Sequence, residues 1–222
     1  MNDQAPPKRI PWKAIVVALV VILVGVKLVK EGRWHVLPKR LVLVEPDLYR
    51  SGQLTAWPYD RLVREQGIKT VLRLNAMPAG DPRIAVEAEV VERHGLKFIE
   101  VPMQNGSGIV PFDDLERAAL VLAESERPLL FHCSGGSRRT TAVQVVYRLR
   151  HCGWTWDQVY AELEKQDLIP LRKGAKLLVY LEKYRDAKRG LAAPLTSQKS
   201  STAPLASRAL APLSKKTASS PR

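Results

Sequence analysis

A short apolar run that passes without a break into a glycine-bearing loop, and from there into a helix, is the feature that most narrows the folds open to this chain. The run is PLLFHC (128–133), the loop SGGSRRT (134–140) and the helical segment TAVQVVYRLR (141–150). Cys133 therefore stands at the end of a strand, beneath a loop that opens a helix. Backbone N–H groups in such a loop converge, the helix N-terminus adds partial positive charge, and the two together favour a bound phosphate. The same field lowers the pKa of a thiol, and the thiolate is the nucleophile. Arg139, six residues beyond Cys133, can set its planar fork against two oxygens of one bound group, a geometry that lysine lacks.

The segments on either side supply a scaffold for that loop. LVLV (41–44), IKTVLRL (68–74) and KFIEVPM (97–103) read as strands beside PLLFHC, and LYRSGQ (48–53) reads as a turn-rich connection. Helices are expected over 57–66, 83–94 and 113–125, and near 140–151, 155–166 and 174–187. In the second of these, Ile84, Ala88 and Val91 share a face with Val90 beside them, and Gly95 ends it. Strands alternating with helices predict an α/β layer, with a mainly parallel central sheet flanked by helices. Ligands bind such sheets beyond the carboxyl ends of the strands, which is where Cys133 lies.

Charge divides the chain into three parts. Of the net +13, residues 1–39 carry +5, residues 40–187 carry +1 and residues 188–222 carry +7. A nearly neutral middle lacks the single-sign surface of a dedicated DNA- or RNA-binding domain, so nucleic acid is not expected as a partner. The middle is long enough for one ordinary domain, 40–187. After Asp186 the composition reduces to Ala, Ser, Pro, Leu, Lys and Thr with scattered Arg, Gly and Gln, which predicts a disordered basic tail over 188–222. At the other end, AIVVALVVILVGV (14–26) is an apolar run of thirteen residues between Lys13 and Lys27. At about 1.5 Å per residue it reaches roughly 20 Å of a hydrocarbon core about 30 Å thick. Snorkelling lysines extend it to a span of about 10–29, with Trp12 and Trp34 near the interfaces, and this is read as a single-pass transmembrane anchor. A cleaved signal peptide and a buried core helix are the alternatives. Lysines and arginines on both flanks leave the side of the membrane open, and a reducing, cytoplasmic location suits an exposed thiolate.

HCSGGSRRT resembles the His-Cys-x5-Arg-Thr phosphate loop of the cysteine-dependent protein tyrosine and dual-specificity phosphatases. LYRSGQ and GIKTVLRLN are similar to the opening of the compact bacterial and fungal-type dual-specificity branch, so the resemblance extends over roughly 41–187. It implies that Cys133 attacks phosphorus to give a phosphocysteine and that Arg139 holds the equatorial oxygens. It further implies that Thr140 steadies the leaving thiolate and that His132 fixes the loop through hydrogen bonds. Ser134, Gly135, Gly136, Ser137 and Arg138 would complete the phosphate-binding loop, with Gly136 permitting close backbone approach. No cofactor and no metal are implied, and no metal-ligand spacing occurs among the four histidines and two cysteines. Two positions depart from the family pattern: Thr141 stands where glycine is usual and Ser137 where lysine is frequent.

The general acid is the least determined part of the site. The resemblance places an aspartate in the loop after the third strand, here QNGSGIVPFDD (104–114), and Asn105 stands near the expected position, where an amide cannot donate a proton usefully. Asp113 and Asp114 are the nearby carboxylates, and either serves as the acid if Gly106 and Gly108 let the loop move, or as a helix N-cap if they do not. Arg50 either touches the site or braces the loop, bracing being the expectation. Cys152 lies some 18 Å beyond the loop at about 1.5 Å per helical residue, too far for a disulfide with Cys133, and reads as a packing residue. The expected activity is hydrolysis of phosphate monoesters on proteins, of the phosphotyrosine and phosphoserine or phosphothreonine class. The alternatives are a pseudophosphatase that binds phosphorylated partners without turnover, and a phosphoinositide or inositol phosphate phosphatase, to which the second guanidinium of Arg138 points.

Overall fold

The computed structural model describes residues 12–104, 110–166 and 175–188. In chain order its elements are α1 (Trp12–Val36), β1 (Val42–Glu45), β2 (Leu48–Gly52), α2 (Ala56–Gln66), β3 (Thr70–Asn75) and α3 (Pro82–His94). They continue as β4 (Lys97–Met103), α4 (Phe112–Glu124), β5 (Leu129–Cys133), α5 (Arg138–His151), α6 (Trp156–Gln166) and α7 (Lys176–Ala187). Five strands form one sheet in the order β1-β2-β5-β3-β4. Only the β1–β2 pair is antiparallel; β2, β5, β3 and β4 run parallel. The α/β architecture expected from the alternating segments is the one observed.

Successive residues of a strand point to opposite faces, and here both faces are covered. Val71 and Leu130 face a cluster formed with Leu54, Tyr59, Leu62 and Val90 from α2, α3 and the β2–α2 loop. Leu72, Leu74, Leu129 and Phe131 face a larger cluster that includes Leu115, Leu122, Val143 and Val146. β5 is buried at every residue, and α5, which carries the segment after Cys133, is buried along most of its length. Its neighbours α4, α6 and α7 account for that. A helix enclosed on several sides shows no clean apolar stripe, which is why TAVQVVYRLR gives so weak an amphipathic signal.

The expectation for LYRSGQ is corrected. Leu48–Gly52 is a strand, paired in parallel with β5 from Leu48 opposite Leu129 to Gly52 opposite Cys133. Arg, Ser and Gly carry little strand propensity, and the pairing with a fully buried central strand overrides it. The predicted transmembrane span is also corrected: among the described residues no helix is long and apolar enough to cross a membrane. The uninterrupted apolar stretch is short, Lys13 and Lys27 bracket it, and α1 then continues to Val36 through a segment that carries Lys30, Glu31 and Arg33 among its apolar residues. Within that stretch aliphatic side chains point outward all round the helix, Val17, Val21, Ile22 and Leu23 each being more than half exposed. The predicted tail falls outside the described residues except for Lys188, whose ammonium lies 3.2 Å from Glu116.

Burial in β5 sets an expectation for stability. Phe131→Ala, at a position with no exposed surface, is expected to cost about 3–5 kcal/mol in urea unfolding. Leu43→Ala, at an exposed position of the edge strand, is expected to stay within about 0.5 kcal/mol of the parent.

Candidate active site

Parallel strands end together, and the site forms where β5 and β2 stop side by side. Cys133 ends β5 opposite Gly52 of β2, and the chain turns through residues 134–137 into α5, which begins at Arg138. The thiol is buried, and the Gly136 N–H donates to Sγ at 3.2 Å. Burial alone pushes the thiol pKa up. The backbone N–H groups of Thr140, Gly136 and Gly135, with the Arg139 guanidinium, outweigh that effect and hold it below its ordinary value.

Close approach of backbone to backbone makes the loop possible. Gly136 sits at φ +68°, and a Cβ there would fall 2.4 Å from the nitrogen of Gly52 and 2.7 Å from the carbonyl carbon of Ser51. Any side chain at 136 would therefore drive the loop off β2. Beneath the loop lies Arg50, fully buried. Its guanidinium donates to the carbonyls of Gly136 and Ser137 at 3.2 and 3.3 Å and to the hydroxyls of Thr140 and Thr141 at 2.8 Å each. It also donates to Gln144 Oε1 at 2.5 Å, and the Gln144 amide in turn donates to Glu162 at 2.8 Å. Burial lowers the Arg50 pKa to about 10, against the pull of Cys133 and Glu162, so it remains a cation at neutral pH. Bracing, as expected, is what Arg50 does. Thr141, which departs from the family pattern, supplies one of its acceptors.

The remaining site residues take the following places. Arg139 is half-buried in the first turn of α5 and donates to the Met103 carbonyl at 3.0 Å, across the end of β4. Thr140 reaches the sulfur through its backbone N–H, while its hydroxyl donates to the Ser137 carbonyl at 3.1 Å and accepts from Arg50. Ser134, Gly135 and Ser137 are half-buried in the loop, and Arg138 is exposed at the start of α5. His132 differs from expectation: its Nε2 lies 2.6 Å from Glu87 of α3, and the bond ties β5 to α3 rather than to the loop. Glu87 is itself paired with Arg73 at 2.8 Å, and Arg73 with Glu100 at 2.8 Å. Burial raises the Glu87 pKa, but His132 and Arg73 outweigh it and keep the carboxylate below the usual range.

Asp113 and Asp114 lie in the first turn of α4. Neither is the N-cap, a position held by Pro111 without a side-chain bond. Asp114 is paired with Arg117 at 2.7 Å, whereas Asp113 is exposed, with no carboxylate partner among the described residues. Asn105, Gly106 and Gly108 lie outside the described residues. Cys152 is a free, half-buried thiol 3.7 Å from Arg148. Among the described residues no group of three or more His, Cys, Asp or Glu is placed to hold a metal ion.

Sequence reasoning passed over Glu87, Arg73 and Gln144. For Glu87 a signal existed: a carboxylate one turn from Ile84 and Val91, on the apolar face of its helix, calls for a buried partner.

No protein-family model matches the chain, and no curated protein matches it. Solved structures do. The core catalytic domain of the PP-IP phosphatase SIW14 from S. cerevisiae, in complex with citrate, superposes with a TM-score of 0.54 at 20% identity, over 72% of this chain and 98% of that one. A DUF442 protein from Shewanella putrefaciens gives 0.50 at 17% identity over 68% and 93%. A mutant form of Tk-PTP gives 0.51 at 14% identity over 67% and 96%.

Two measurements follow from this geometry. The rate of Cys133 alkylation against pH is expected to turn at a midpoint below the ordinary thiol value of about 8.5. A depressed folded pKa means that the ionised thiol stabilises the fold fully above the unfolded value. That contribution is lost as pH falls through the folded value, so the stability gap between parent and Cys133→Ser should widen with rising pH over that window. Arg50→Met leaves two loop carbonyls and two hydroxyls without their donor. It is expected to lower stability by about 3 kcal/mol or more in urea unfolding, and to raise the alkylation midpoint.

Proposed function

We propose, from the premise that this chain has the fold of the cysteine-dependent tyrosine and dual-specificity phosphatases, that it hydrolyses phosphate monoesters through a phosphocysteine. The observation that carries the reading is the Cys133 thiol, held below its ordinary pKa by three inward N–H groups and Arg139. In the first step Sγ attacks phosphorus, the S–P bond forms as the P–O bond to the leaving group breaks, and the departing oxygen takes a proton. The loop N–H groups and the Arg139 fork hold the three equatorial oxygens, where charge develops in the transition state. In the second step water attacks the phosphocysteine, the S–P bond breaks, and phosphate leaves with the thiolate restored. Thr140 steadies that thiolate through its backbone N–H. Asp113 is the proton donor in this scheme and takes a proton back from water in the second step; its exposed carboxylate supports that choice over Asp114, which Arg117 engages.

The phosphoester belongs to a protein or to a small molecule. Arg138, exposed beside the loop, and the fold shared with a PP-IP phosphatase support the second class, a multiply phosphorylated inositol or phosphoinositide. The protein associates with a membrane surface through α1, with the phosphatase domain on the cytoplasmic, reducing side. The outward aliphatic side chains of α1 support this, since so continuous an apolar surface is unfavourable in water.

Turnover of an aryl phosphate is expected, with loss of at least about a thousand-fold in Cys133→Ser, and a phosphorylated Cys133 peptide is expected on acid quench. Phosphate binding without turnover would instead make the chain a binding module. Asp113→Asn should slow alkyl phosphates at least about ten-fold more than aryl ones, because an aryl leaving group needs little protonation; equal effects would move the acid elsewhere. The full chain should float with lipid vesicles, and Val21→Asp with Leu23→Asp should leave it in the dense fractions.

A further inference from the structure

Two of the loop's carbonyl groups are taken neither by Arg50 nor by the first turn of α5. The Ser134 carbonyl accepts from Lys39 Nζ at 3.3 Å and from the Gln53 N–H at 3.3 Å. The Gly135 carbonyl accepts from the Arg40 guanidinium at 2.5 Å. Lys39 and Arg40 come from the short connection between α1 and β1, far from the loop in sequence. That connection is anchored on β2, where the Gly52 N–H donates to the Lys39 carbonyl at 2.7 Å. The Lys39 stem lies so close over Gly52 that a Cβ at 52 would meet it at 2.9 Å.

Peptide planarity gives these contacts a direction. In a trans peptide the C=O of one residue and the N–H of the next point opposite ways. Holding the Gly135 oxygen outward on Arg40 therefore holds the Gly136 N–H inward, where it donates to Cys133 Sγ at 3.2 Å. Holding the Ser134 oxygen on Lys39 and Gln53 does the same for the Gly135 N–H, the other glycine amide acting on the sulfur. A cation on each oxygen also polarises its peptide and strengthens the N–H as a donor.

We propose that Lys39 and Arg40 are positioning residues of the phosphate loop, which act on Cys133 through the Ser134–Gly135 and Gly135–Gly136 peptides and make the connection after α1 part of the site. The proposal deepens the phosphatase reading, but it is measured on the thiol itself. With Arg50 behind Gly136 and Ser137, these residues hold the carbonyls of Ser134, Gly135, Gly136 and Ser137.

The test uses the full chain with Lys39→Met, Arg40→Met and the double variant, and with Lys39→Arg and Arg40→Lys as charge-retaining controls. Alkylation of Cys133 is followed against pH by mass spectrometry of its peptide, which separates it from Cys152, and thermal unfolding is measured alongside. The double variant is expected to move the Cys133 midpoint upward by about half a unit or more, the single variants by less, and the charge-retaining variants to recover most of the shift. Aryl phosphate kcat/KM should fall about three- to ten-fold in the double variant. A midpoint that stays in place in the folded double variant overturns the proposal, and so does a loss of melting temperature with the midpoint unmoved. Should the double variant not fold, Arg40→Met decides by the same criteria. If the parent lacks turnover while the midpoint still moves with Lys39 and Arg40, the positioning role stands and the hydrolytic reading falls.

Discussion

A buried guanidinium facing backbone carbonyls is the interaction on which the site depends. Arg50 has no exposed surface, and removing a cation from water is costly unless acceptors replace the lost hydration. Two loop carbonyls, two threonine hydroxyls and Gln144 provide them. The carbonyls turned toward Arg50 fix the Gly136–Ser137 and Ser137–Arg138 peptides, and with them the turn that carries the loop into α5. The thiolate and the buried cation thus stabilise one another across a single layer of backbone, and Cys133 is among the charges that act on Arg50.

The sheet makes this arrangement rigid. β2 and β5 end in register, with Gly52 beside Cys133, so the strand that brings Arg50 also forms the floor on which Gly136 rests. Below that, His132, Glu87 and Arg73 tie β5 to α3 and β3 through buried charge-assisted bonds. Such a network fixes one arrangement of its elements, since leaving any member unpaired in the interior is strongly unfavourable. A loop that must present several amides to one atom needs support of this kind, because small displacements weaken each hydrogen bond steeply.

The outer side of the loop is less enclosed than the sulfur side. Arg138 and Asp113 are exposed, at the starts of α5 and α4 respectively, and Arg139 spans from α5 to the end of β4. In the proposed reaction, chemistry is concentrated where the parallel strands end and selectivity falls to side chains on the surrounding turns, as is usual where strand ends and helix starts share one edge.

Local sequence determined a good deal. The order and type of most elements follow from periodicity, and KFIEVPM matches β4 residue for residue. The loop after β5 is a contiguous motif whose residues act on near neighbours, so the grouping of Cys133, Gly136 and Arg139 is legible without a fold. What escaped has a common cause. β2 carries strand-poor residues and becomes a strand only through its pairing with β5, and the apolar α1 reads as a complete span until the bracketing charges are weighed along the whole helix. Glu87, Lys39 and Arg40 lie far from Cys133 in sequence, Gln144 lies 94 residues from the Arg50 it accepts from, and a charge or amide in isolation does not announce its partner. Only the crossing of β2, β5, α3 and the connection after α1 brings these groups to β5 and its loop, because hydrogen bonding acts over a few ångströms and distance along the chain says little about distance in space.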